Sequence, residues 1–120
     1  MIVFNIRPVP KPRMTRRDRW AQRPIVMKWF NFKDNLNKLA DKYNYKVPPV
    51  LKIDFFVQVP TSWSQKKKDK MIGQPHQQKG RNDNDNLQKA FLDSLCEDDS
   101  YVWNIHARKF WSDKDQIIVY

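Results

Sequence analysis

The chain has 120 residues, 23 Lys and Arg against 13 Asp and Glu, and a formal net charge of +10, so it fits one basic domain with room for a core but not for a second domain. Its two glycines, Gly73 and Gly80, are too few for a phosphate-cradling loop or a dinucleotide fingerprint, which excludes nucleotide-driven chemistry and a nucleotide cofactor. The single cysteine, Cys96, excludes an internal disulfide. No apolar run approaches the ~20 residues of a bilayer span, and the start of the chain lacks a signal-peptide core, so an intracellular, soluble protein with no membrane contact is expected.

In chain order, Ile2 to Arg7 alternates as a half-buried strand, and Pro8, Pro10 and Pro12 end it. Residues 13–23 are basic and aperiodic, a loop. Pro24 suits a first helical turn, and Ile25, Trp29, Phe32, Leu36, Leu39 and Tyr43 recur at helical spacing, predicting a helix near 25–44. After Pro48-Pro49, the residues Leu51, Ile53, Phe55, Val57 and Val59 alternate as a strand with one buried face.

Residues 61–82 hold Lys, Gln, Ser and both glycines without an apolar period and read as a long basic loop. From Asn84, the residues Leu87, Ala90, Phe91, Ser94 and Leu95 form one helical face, and Asp85, Lys89 and Asp93 the opposite one. Tyr101, Trp103, Ile105 and Ala107 then alternate as a strand, and Ile117 to Tyr120 forms a last short one. Strands and helices in this order predict a single compact α+β domain, a mixed or antiparallel sheet packed with two main helices.

Charge is uneven along this order. Residues 1–33 carry nine Lys and Arg against one acid and residues 65–82 carry six against one, whereas residues 83–99 carry one Lys against six acids. The basic segments suit a polyanion, which they would bind with release of its counterions. The acidic island needs its own reason.

Asp83 and Asp85 sit where loop becomes helix, so both carboxylates can turn to one point, and if the helix packs on the following strand Asp98 or Asp99 can return to it. At ~4 Å and an effective dielectric of 20, each pair of such charges costs about 4 kcal/mol, which favours a divalent cation among them. Oxygen-only ligation suits Mg²⁺ or Mn²⁺, an apparatus for phosphodiester hydrolysis, and Lys89, one turn after Asp85, would then face the site and offset phosphate charge. Equally open from the pattern alone is a simpler reading, in which Asp and Asn cap a helix and Asp85 pairs with Lys89 at the surface of a non-catalytic DNA-binding protein. An RNA-directed module also fits the net charge. His76, His106 and Cys96 lack zinc-ligand spacing, so Cys96 is expected to be buried and the histidines to lie in loops or at the surface.

The run Asn82-Asp83-Asn84-Asp85-Asn86-Leu87-Gln88-Lys89-Ala90, with Asp93 and then Asp98-Asp99, resembles the core motif of RusA-type Holliday junction resolvases, as do the chain length and the early Pro8-Val9-Pro10-Lys11-Pro12-Arg13. This resemblance implies a RusA-like fold and a crossover junction endodeoxyribonuclease of phage or prophage origin, using Mg²⁺ with Mn²⁺ as substitute. It implies that Asp83, Asp85 and Asp99 are the metal-binding catalytic carboxylates and Lys89 the essential basic residue, with Asn86, Asp93 and Asp98 in support. It also implies a homodimer, because paired cuts in strands of like polarity across a two-fold junction need two equivalent sites. Arg13, Arg16, Arg17, Arg19, Lys66, Lys67, Lys68, Lys70 and Arg81 are the candidate phosphate contacts, and Trp20 and Trp63 the candidates for stacking on DNA.

Overall fold

The computed structural model describes residues 1–15, 23–78 and 82–120. They form a compact α+β domain of three helices and a four-stranded mixed sheet. The strands are β1 (Ile2–Phe4), β2 (Val50–Gln58), β3 (Asn104–Ser112) and β4 (Gln116–Val119), and the helices α1 (Pro24–Lys42), α2 (Gln65–Met71) and α3 (Asn84–Leu95). Sheet order is β1-β4-β2-β3, with β2 parallel to β3 and β4 antiparallel to both β1 and β2.

The period-2 pattern of β2 buries Leu51, Ile53, Phe55 and Val57 on the face that meets α1 and α3, together with Phe4, Ile117 and Val119. Helix α1 contributes Val26, Trp29, Phe32, Leu36 and Ala40. Trp29, Phe32 and Leu36 are buried as expected, whereas at the two ends Val26 and Ala40 take the buried places and Ile25 and Tyr43 are left exposed. Asn44 at φ 51° closes α1 in a Schellman arrangement, with Tyr45 N–H bonding Ala40 O at 2.8 Å and Asn44 N–H bonding Asp41 O at 3.1 Å. Helix α3 packs on α1 and buries Leu87, Ala90 and Phe91, each worth roughly 1–3 kcal/mol on folding. Asn37 Nδ2 clamps the two helices by donating to Ser94 O at 2.8 Å.

Four expectations are corrected here. The segment 61–82 is not all loop, since Ser64 Oγ accepts from Lys67 N–H at 3.2 Å and starts α2. No residue of α2 is buried, so no apolar period announced it; its Lys and Gln residues are simply good helix formers. The strand expected over 101–107 lies at Asn104–Ser112, because Tyr101 Oη donates to Val47 O at 2.8 Å instead of pairing and Trp103 is 75% exposed. Finally, His76 is 2% exposed, stacked on Trp111 with ring centroids 3.9 Å apart. Cys96 is only half-buried.

The outer edge of β3 is covered by the segment after α2. Gly73 N–H bonds Trp111 O at 2.8 Å, Trp111 N–H bonds Gln74 O at 3.0 Å, and His76 N–H bonds Lys109 O at 3.1 Å. Gly73 makes this return at φ 89°, a conformation that L side chains rarely adopt. Trp63 completes the strap by packing on Trp111 at 4.9 Å.

Candidate active site

The site grows from the alternation in residues 82–86. Each asparagine is half-buried and tied to a neighbouring segment, Asn82 and Asn86 through their backbone carbonyls and Asn84 through its side chain. Asn82 O accepts from Lys109 Nζ at 2.8 Å, Asn84 Nδ2 donates to Ala107 O at 3.1 Å, and Asn86 O accepts from Lys11 N–H at 3.2 Å. The residues between them, Asp83 and Asp85, are exposed.

Asp83 occupies the N-cap of α3, where an aspartate normally bonds the backbone N–H groups of the first turn, yet its side chain makes no such bond. Among the described residues neither Asp83 nor Asp85 has a hydrogen bond or ion pair at its carboxylate. Both sit at the positive end of the α3 dipole. Lys109 interacts with both charges: its burial pushes the ammonium pKa below the usual lysine value, and Asp83 and Asp85 pull it partly back. Two acceptor-only groups, facing solvent and unclaimed by the protein, suit a hard divalent cation that takes oxygen ligands and keeps water.

Helix α3 does pack on the following strand, as expected, but Lys109 returns to the pair instead of a third acid. Asp98 and Asp99 lie past the C-terminal end of this 12-residue helix, roughly 18 Å of helix rise from its start. Asp98 Oδ1 accepts from Ser100 N–H at 2.9 Å, which holds its carboxyl below the usual range, and Asp99 O accepts from Val102 N–H at 2.9 Å. Among the described residues no three His, Cys, Asp or Glu gather into a metal-holding group. Asp93 is committed elsewhere, to Lys11 Nζ at 2.6 Å.

Lys89 is exposed on α3 and opens into a cleft of about 390 Å³ that it shares with Lys11, Pro12, Arg13 and Asn86. A second cleft, of about 630 Å³, is lined by Arg7, Lys28, Asn31, Asn35 and Asn82 among others. Asn82 lines one and Asn86 the other, so the two carboxylates fall in the chain between two donor-rich grooves. On α2, Lys66, Lys67 and Lys70 are exposed and Lys68 half-buried. Trp63, expected to be exposed for stacking, is half-buried against Trp111 and has Lys67 Nζ 4.2 Å from its ring centre. Arg16, Arg17, Arg19, Trp20 and Arg81 lie outside the described residues.

Lys109 is the residue that sequence reasoning missed. Its signal was its phase: in the register of β3, Lys109 falls with Ile105, Ala107 and Trp111 opposite the buried Leu51, Ile53, Phe55 and Val57, a charge on an apolar face.

Compared with known proteins, residues 5–120 match the family model described as endodeoxyribonuclease RusA. No curated protein and no solved structure matches the chain.

Proposed function

The chain belongs to the family of RusA endodeoxyribonucleases, nucleases of Holliday junctions, and we propose that it resolves four-way DNA junctions by paired, metal-dependent hydrolysis in two strands of like polarity. The observation that carries this reading is the pair Asp83 and Asp85, exposed at the start of α3 with no cap bond from Asp83 and, among the described residues, no protein partner at either carboxylate. A merely capping role leaves that unexplained.

In this reading Asp83 and Asp85 hold Mg²⁺, for which Mn²⁺ substitutes. The ion, when bound, supplies Lewis acidity and a nucleophile at neutral pH. Lys89 offsets charge that builds on the scissile phosphate, a role for which a positioned donor is worth about 10²–10³-fold in rate. Asn86 holds the backbone of Lys11 against α3, and Arg13 beside it, with the α2 lysines, contacts phosphates without reading sequence. A homodimer supplies two such sites to a two-fold junction. Asp99, the proposed third carboxylate, lies beyond the far end of α3, so it reaches the pair from a second copy of the chain or after the 96–103 segment repositions.

The test is incubation of the pure protein with a four-way junction and with a linear duplex of the same sequence, in Mg²⁺ and in Mn²⁺. Symmetrical nicks in the junction alone are expected. Tight junction binding without cleavage in either metal sinks the nuclease reading and leaves a binding module.

A further inference from the structure

Resting on the reading of Asp83 and Asp85 as the metal-holding pair, we propose that Lys109 is a positioning residue of the active site, which fixes the turn at Asn82 so that both carboxylates point outward. Lys109 Nζ donates to Asn82 O at 2.8 Å, across 27 positions of the chain. Asn82 stands at φ 52°, the left-handed region, immediately before the N-cap Asp83. Asparagine tolerates that conformation better than other non-glycine residues, and the charged donor from β3 holds its carbonyl there. Asn84 Nδ2, bonded to Ala107 O at 3.1 Å on the same strand, fixes the other side of Asp83. The helix start is thus tied to β3 at both neighbours of the first carboxylate.

The choice of acceptor matters as much as the bond. Lys109 interacts electrostatically with Asp83 and Asp85 yet forms no ion pair with either; the hydrogen bond of its ammonium goes to the Asn82 carbonyl. A cation so placed eases the repulsion between two adjacent carboxylates before any metal arrives and leaves their oxygens open. An arginine or lysine bonded directly to them would compete with the metal.

The experiment compares Lys109→Met, which keeps the stem and removes the ammonium, with Lys109→Arg, which keeps charge and donors. Three quantities are read: the single-turnover cleavage rate at saturating junction, the junction Kd in EDTA, and amide hydrogen exchange over residues 82–87 in the metal-free protein. For Lys109→Met the rate is expected to fall about 10²-fold, as for a misplaced catalytic group. Junction Kd should stay within about threefold, and exchange should rise about tenfold or more as the turn loosens. Lys109→Arg should recover most of both. Wild-type rate and exchange in Lys109→Met overturn the proposal, as does a fallen rate with unchanged exchange. If the wild-type protein cleaves no junction, the nuclease reading fails by itself, and unchanged exchange in Lys109→Met would separately remove the hold of Lys109 on the turn.

Discussion

Lys11 donates a 2.6 Å hydrogen bond to Asp93, and its own N–H bonds Asn86 O at 3.2 Å, so one residue of the proline-rich segment is pinned to α3 at two points about two turns apart. This binds Arg13 to the wall of the cleft that holds Lys89. The acid expected to support a metal instead secures a basic strap.

Replacing Asp93 by Asn therefore should cost little stability and more DNA affinity. Both side chains are about a third exposed, at 33% and 37%, so solvent screening limits the pair to about 1 kcal/mol or less. Junction Kd at fixed salt is expected to weaken up to about fivefold as Arg13 loses its fixed place. Thermal melts and titrations at two salt concentrations check both. A large fall in Tm with unchanged affinity would contradict this assignment.

Asp83→Asn and Asp85→Asn are each expected to lower junction cleavage by about 10³-fold, the loss of several kcal/mol of metal-based stabilisation. Binding should persist or tighten, since each change removes a negative charge facing phosphate. Of the two distal acids, Asp99→Asn should lose more cleavage than Asp98→Asn. Equal and small losses would strike both from the ligand set and leave a site of two carboxylates.

His76 gives the molecule a definable response to acid. Both ring nitrogens are buried and, among the described residues, without a hydrogen-bond partner, and burial, with Lys109 nearby, pushes its pKa below the ordinary 6.5. Below pH 6.5 the unfolded chain therefore takes up a proton that the folded chain resists, so stability falls as pH falls. His76→Phe keeps an aromatic ring against Trp111 and removes the titrating group, so its Tm should drop less between pH 7 and pH 5 than that of the wild type. Parallel Tm curves would rule out His76 as the source.

Tyr45 carries a buried hydroxyl with no partner among the described residues, and burial raises its pKa, with Cys96 and Tyr101 adding to the shift. Its ring contacts Phe4 at 5.5 Å and Phe91 at 6.3 Å, contacts that phenylalanine retains. Tyr45→Phe should be neutral or stabilising by up to about 1 kcal/mol, because an unsatisfied polar group leaves the interior. Denaturant midpoints measure it, and a loss of stability would reveal a partner for the hydroxyl.

The sequence by itself determined whatever is written in local periodicity and charge. The alternation of Leu51, Ile53, Phe55 and Val57 specified a half-buried strand, and the 3.6-residue spacing of Leu87, Ala90 and Phe91 specified a helix, because each pattern needs only its own element's geometry to separate apolar from polar faces. The exposed pair Asp83 and Asp85 was legible for the same reason: both fall within one turn at a recognisable helix start.

Only the tertiary structure decided what returns to that pair. Pairing β3 parallel to β2 with Ala107 opposite Ile53 and Lys109 opposite Phe55 brings an ammonium, not Asp98 or Asp99, to the start of α3. Strand register is set by the fit of a whole sheet against its helices, and a shift of one residue would have turned Lys109 to the other face. His76 and α2 were hidden alike, one buried by a strap that closes on β3 and the other a helix with no buried face, since neither leaves a periodic trace in the chain.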